Sequence, residues 1–252
     1  MRVIKLISLA VLIVMIFNTV CYADSGCNWY IVKRGNEVPG FPENADEILK
    51  HGGIFIDNNA VNSNEKKIYL TFDAGYENGN VEKILDIMRD ENVQGAFFVL
   101  SNLINKNPEL IKRMVNEGHL VCNHTSNHKD LTKLNDGEIL ANLARLEKQY
   151  KDLTGMEMEK IFRFPEGRYN ISALKLLQEN GYKSVFWSMA YDDWDNGRQM
   201  NVDKAKEKLL STTHNGAILL LHPTSSTNAR ILRDLIHEWR DMGYSFGSLL
   251  DI

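Results

Sequence analysis

From Ile68 onward, short runs of β-branched and aromatic apolar residues alternate with stretches whose apolar positions recur every three or four residues. The runs predict strands over Ile68–Asp73, Gln94–Leu100, His119–His124, Ile161–Pro165, Ser184–Met189 and Ala217–His222, with a weaker candidate at Tyr244–Gly247. Helical patterns fall between them at about Val81–Glu91, Pro108–Asn116, Asp136–Leu153, Ser172–Asn180, Val202–Ser211 and Asn228–Asp241. Pro108 after Asn107 and Gly118 after Glu117 are start and stop signals for one of these helices. Six or seven consecutive β-α units with short connections define an α/β protein built on a parallel sheet, closed into a barrel or left open. No internal repeat or low-complexity stretch interrupts the pattern.

Upstream of this rhythm the chain changes character twice. Residues 24–66, with Gly, Pro and Asn scattered through them, read as an N-terminal extension covering the barrel, the alternative being a linker. In residues 1–23, Arg2 and Lys5 precede an apolar run from Leu6 to Val20, broken only by Ser8, Asn18 and Thr19. Cys21-Tyr22-Ala23 then places small residues at the two positions a signal peptidase reads, so the segment is expected to be a signal peptide cleaved after Ala23. A retained N-terminal membrane anchor is the alternative, because the run is nearly long enough to span a bilayer. A lipid anchor on Cys21 is disfavoured by the bulky Val20 before it.

Composition narrows the classes without choosing among enzymes. With 44% hydrophobic residues and 3 Cys in 252 residues, the chain is neither disordered nor a disulfide scaffold, and its net charge of -4 provides no footprint for nucleic acid. Loss of Arg2 and Lys5 with the signal peptide would leave 27 basic residues against 33 acidic, a net charge of -6. Any affinity for an anionic wall polymer must then be local. Of the cysteines left after processing, Cys122 lies in a predicted core strand and Cys27 in the extension, which favours two unpaired thiols over a disulfide.

Candidate chemistry collects where a parallel β/α architecture puts it, at the carboxyl ends of the strands. Asp73, His124, Arg163, Asp193 and His222 end or closely follow five of the six firm strands. His124 and His128, four residues apart, can grip one divalent ion, and Zn²⁺ suits nitrogen ligands in an open site. Asp73 closes the apolar run Ile68–Phe72 and reads as a general base, although an aspartate also caps turns that leave strands. Arg163, between Phe162 and Phe164, needs a carboxylate partner, and Asp73 is the natural one. Such a pair would hold Asp73 ionised. His222 ends Ala217–Leu221 and is broken from it by Pro223, a place for a general acid. His51, His119, His214 and His237 sit in helical, turn or strand-start contexts and take no role.

The motifs TFDAGYENG (71–79), NHTSNH (123–128), RFPEG (163–167), DDW (192–194) and LLLH (219–222), in this order, resemble the polysaccharide deacetylase family with the NodB homology domain. The match spans about residues 67–250. Ala74 followed by Gly-Tyr-Glu-Asn-Gly is similar to the branch of delta-lactam-biosynthetic de-N-acetylases acting on N-acetylmuramic acid in peptidoglycan. The resemblance implies a distorted seven-stranded (β/α) barrel, Asp73 as base, His124 and His128 as metal ligands, Arg163 as the group orienting Asp73, and His222 as acid. It places Trp194 in the apolar wall near the acetyl group or sugar.

Two departures from the family pattern are expected to matter. Position 74, commonly a second aspartate and third metal ligand, is alanine, so the ion, Zn²⁺ or similar, would be held by two imidazoles plus waters or another oxygen, with Asn78 a candidate for contact. The consequence would be weaker or less selective metal binding. Position 190, often an aspartate near the catalytic histidine, is also alanine, which leaves Asp193 to orient His222. Arg168, just beyond RFPEG, is a candidate clamp for the lactyl carboxylate of muramic acid, with a solvated surface residue as the alternative. The implied partner is a peptidoglycan glycan strand, met as a monomer after an amidase has stripped the stem peptide. A glucosamine deacetylase and a non-catalytic glycan-binding module are the competing readings.

Overall fold

The computed structural model describes residues 26–252; the expected signal peptide lies outside them. Ten strands and nine α-helices follow one another in the described chain. The strands are β1 (Cys27–Asn28), β2 (Lys67–Ala74), β3 (Ala96–Val99), β4 (Leu120–Asn123), β5 (Ile161–Phe162), β6 (Arg168–Tyr169), β7 (Lys183–Ser184), β8 (Met189–Ala190), β9 (Ala217–Leu221) and β10 (Ser245–Phe246). The helices are α1 (Ala45–Lys50), α2 (Asn58–Ser63), α3 (Val81–Asp90), α4 (Ser101–Lys106), α5 (Pro108–Asn116), α6 (Asp136–Thr154), α7 (Ile171–Glu179), α8 (Val202–Ser211) and α9 (Ser226–Asp241).

Seven strands form a curled parallel sheet in the order β7-β5-β4-β3-β2-β9-β8, and β10 pairs with the start of β2. The residues of β9 are all buried, as are most of β2, because helices cover one face and the curl encloses the other. Their apolar runs are therefore continuous rather than alternating. Helix α3 shows the complementary pattern, burying Val81, Ile84, Leu85 and Met88 on one stripe. Helix α6 starts at a capping box between Asn135 and Glu138 and stops at the left-handed Gly155.

The single strand predicted at Ser184–Met189 is divided. Its first part, β7, pairs with β5, and after residues 185–188 the chain reappears as β8 on β9, so one segment supplies both ends of the curled sheet. The barrel is thus distorted where residues 54–57 of the extension enter: Ile54 bridges Val185 and Ile56 bridges Ala217. Trp29, only 5% exposed, packs on Phe41, Phe55 and Phe186, and its indole Nε1 donates to the Trp187 carbonyl at 2.9 Å. Losing a ring so enclosed costs about 3–5 kcal/mol in packed cores. Through these bridges and ring contacts, residues 29, 41 and 54–56 pack into the barrel wall. Cys122 is a buried free thiol, while the Cys27 sulfur accepts a hydrogen bond from Asn44 at 3.3 Å.

Candidate active site

Asp73 reaches the rim one residue before the end of β2, and Arg163 comes to it from just beyond β5. The Arg163 amide donates to the Asn123 carbonyl, which carries the strand pairing one residue further and turns the guanidinium into the barrel. That guanidinium is 0% exposed. It donates to Asp73 Oδ1 at 2.9 Å, to Thr71 Oγ1 at 2.8 Å and to the carbonyls of Val185 and Phe186, and it lies 4.1 Å over the Phe98 ring. Burial by itself raises the Asp73 pKa; the charges of His124, Arg163 and His222, with the Arg163 hydrogen bond, outweigh it and hold the carboxyl below its ordinary value.

Beyond β4 the chain makes the tight loop that carries the two histidines. Thr125 (φ 72°) and His128 (φ 57°) adopt left-handed backbone, a strained choice for non-glycine residues and a rare one for a β-branched threonine. Side-chain oxygens sustain it: Asn123 Oδ1 accepts from the Thr125 amide, Thr125 Oγ1 from the His128 amide, and Asn142 of α6 from the Ser126 amide and hydroxyl. His124 is fixed by its own Nδ1, 2.9 Å from the Arg163 carbonyl, so that Nδ1 carries the proton and Nε2 presents a lone pair 3.5 Å from Asp73 Oδ2. Burial first, then the neighbouring His128, hold His124 down at about 4 against the pull of Asp73. Its ring stands 5.0 Å from that of His128 at 71°.

On the opposite side, β9 ends at His222. Asp193, 1% exposed, accepts from His222 Nδ1 at 2.7 Å and from the His222 amide at 2.7 Å, while Asn228 of α9 donates to the same carboxylate at 2.6 Å. Tyr191 in turn donates to Asn228 Oδ1 at 2.5 Å. Burial opposes charge on His222, but the hydrogen bond and charge of Asp193, aided by Asp73, prevail and raise its pKa above the ordinary histidine value.

Asp73, His128 and His222 line one cleft of about 660 Å³, with Trp187, Trp194, Ala190, Leu220 and the Glu166–Gly167 turn as its walls. Trp194 is 61% exposed at the edge. A second hollow, of about 640 Å³, opens at the other end of the strands around Gly95, Gly118 and Tyr244, away from these groups. Gly167 (φ 65°) admits no side chain, because a Cβ there would come within 2.7 Å of the Trp187 ring. The extension contributes to the cleft through Ile31 and Lys33. Those two, together with Thr71, Trp187, Asn142 and Asn228, were not singled out by the sequence pattern; the buried asparagines are legible only once their long-range partners are known.

Two candidates are placed elsewhere. Arg168 does not line the cleft: after the left-handed Glu166 and Gly167 the chain runs into β6, antiparallel to β1, and the guanidinium meets Asn28 at 3.2 Å and Asp130 at 3.4 Å. Asn78 is a loop staple, donating to the Thr224 carbonyl at 2.9 Å, and it too is absent from the cleft walls.

As a metal centre the arrangement fits in part. His124 Nε2 and the His128 ring supply two nitrogen donors, and the Nδ1 bond to a carbonyl is the outer contact that sets a ligating imidazole. Position 74 offers a methyl group, and no cluster of three His, Cys, Asp or Glu suited to a metal occurs among the described residues.

A curled parallel sheet thus brings a buried Asp–Arg pair, two histidines of one loop and an Asp–His dyad to one rim, with a carboxylate and two imidazoles facing the same cleft. Residues 60–185 match the polysaccharide deacetylase family, and the chain belongs to that family. It is 39% identical to the peptidoglycan-N-acetylmuramic acid deacetylase PdaA of Bacillus subtilis over 191 residues, 76% of this chain and 73% of that protein. The solved structure of Bacillus subtilis PdaA, a family 4 carbohydrate esterase, superposes with a TM-score of 0.86 at 35% identity, covering 90% of this chain and 97% of that one. The peptidoglycan-N-acetylglucosamine deacetylase PgdA of Listeria monocytogenes is 32% identical over 72% of this chain but only 37% of its own length.

Proposed function

We propose that this enzyme removes the acetyl group from N-acetylmuramic acid residues of peptidoglycan, outside the cytoplasmic membrane, with a divalent ion, Zn²⁺ by preference, on His124 and His128. The observation that carries the reading is the 39% identity to PdaA over 191 residues, 76% of this chain. A bound ion would polarise the acetamide carbonyl and sharpen the acidity of water. Asp73, kept ionised by Arg163, takes a proton from the attacking water. His222 then donates from Nε2 to the departing amine, its Nδ1 being engaged by Asp193. Trp194 lies against the sugar. Acetate leaves, and the freed amine stands beside the lactyl carboxylate of the same ring, where proximity favours closure to the muramic δ-lactam found in spore cortex. An amidase acting earlier would expose that carboxylate.

Similarity to the Listeria enzyme supports a second reading, deacetylation of N-acetylglucosamine by the same side chains. Treating intact and peptide-stripped peptidoglycan and locating the new amine by mass spectrometry separates the two. Strong chelation is expected to stop acetate release and Zn²⁺ to restore it.

The Asp193–His222 dyad also sets an expected pH profile. The imidazolium is the active form of an acid, so kcat/KM falls as pH rises through the His222 pKa, which Asp193 holds above the ordinary value. Asp193→Asn should lower activity on the order of a hundredfold, the low end for a general acid, and move the alkaline limb to lower pH. A limb that stays in place would exclude His222 as the acid.

A further inference from the structure

Among the described residues that line the cleft, Lys33 is a basic side chain held in no ion pair. Lys33 belongs to the stretch held by the reciprocal Val32–Gly40 backbone hydrogen bonds of 2.8 and 2.9 Å, and with Ala190 it borders both the cleft and the shallow depression behind it. Among the described residues no carboxylate lies within the 4.0 Å of an ion pair with it. Ala190 presents only a methyl group. Desolvation, then Lys208 through its like charge and a side-chain hydrogen bond, lower the Lys33 pKa, and Asp192 is the acidic group that opposes them. A substrate anion at this wall would act in the same sense as Asp192. The other cations near the site are committed: Arg163 to Asp73, Thr71 and two carbonyls, Arg168 to Asn28 and Asp130 outside the cleft.

We propose that Lys33 is a specificity-determining residue, its ammonium receiving a carboxylate that the substrate sugar carries beside its acetamido group. The inference rests on the muramic reading and deepens it. The lactyl ether is the ring neighbour of the acetamide, so a sugar whose acetyl group lies between Asp73 and His222 presents its carboxylate to a wall of the same cleft. While the stem peptide is attached that group is a neutral amide, which gains little from Lys33. Once the peptide is gone it is an anion. N-acetylglucosamine has nothing at this position. Preference for peptide-stripped strands then follows from one side chain in a segment outside the β/α repeat.

The test compares Lys33→Met and Lys33→Arg with wild type on three substrates: peptide-stripped muramyl strands, the same strands with the carboxylate methyl-esterified, and N-acetylglucosamine oligomers. Lys33→Met should raise KM on the free acid about tenfold, the effect of one partly exposed charge-assisted hydrogen bond, with kcat little changed. The difference should shrink as salt is added, Lys33→Arg should restore most of it, and the ester and oligomers should be unaffected. An equal change on acid and ester, or none on the acid, would overturn the proposal while leaving the muramic reading intact. A wild-type enzyme that leaves muramic residues acetylated and acts only on glucosamine would overturn both.

Discussion

Asp73→Asn is expected to lower acetate release by about 10²–10⁴-fold, the contribution of a positioned general base, while binding of the glycan changes little. The substitution keeps the shape of the side chain and an oxygen for Arg163 Nη1, but removes the charge that accepts the proton. Thr71, the Val185 and Phe186 carbonyls and the Phe98 ring still hold the guanidinium, so a folded protein should be recovered. Acetate assays well below the melting temperature, with glycan binding measured in parallel, check it. Unchanged acetate release would remove Asp73 from the chemistry.

Removing the other half of the pair should act on stability first. Arg163→Met leaves the Asp73 carboxylate, 11% exposed, without the guanidinium that donates to it and leaves Thr71 and two carbonyls short of a donor. Breaking a buried ion pair from one side costs about 3–5 kcal/mol, and about 10 °C in melting temperature is the scale expected for a domain of this size. Activity should fall as well, because Asp73 loses a charge that keeps it ionised. The double variant Asp73→Asn/Arg163→Met should regain part of the lost stability, since no buried charge is then stranded. Strict additivity in denaturant unfolding would show that the two side chains do not act as a pair.

The parts of this site legible in the sequence share one physical feature: each follows directly from its own strand. Asp73 and His222 terminate runs buried on both faces, so the polar residue that breaks the run marks the rim. Arg163 between two phenylalanines announces a buried charge and, through it, a carboxylate. What was not legible depends on pairings between distant segments. The run at residues 184–189 looks like one strand, because its apolar pattern is silent about neighbours; in the fold it leaves β5 and joins β9 within four residues. Helix α4 is six residues with two buried aliphatics, too short to show a period. Arg168 lies five residues beyond Arg163, yet the left-handed turn at Glu166 and Gly167 sends it to the strand facing β1. Lys33 lies in a segment that reads as irregular coil, and only the anchoring of Trp29 against Trp187 and the Val32–Gly40 pairing bring it to the cleft.

The muramic reading stands or falls on where the amine appears. A defined, peptide-stripped glycan of alternating N-acetylglucosamine and N-acetylmuramic acid, treated with the zinc-loaded enzyme and fragmented by mass spectrometry, places each lost acetyl group on one ring or the other. The expected result is acetyl loss on muramic residues alone, with a further loss of one water wherever the lactam has closed. Acetyl loss on glucosamine, with muramic residues untouched, would contradict it.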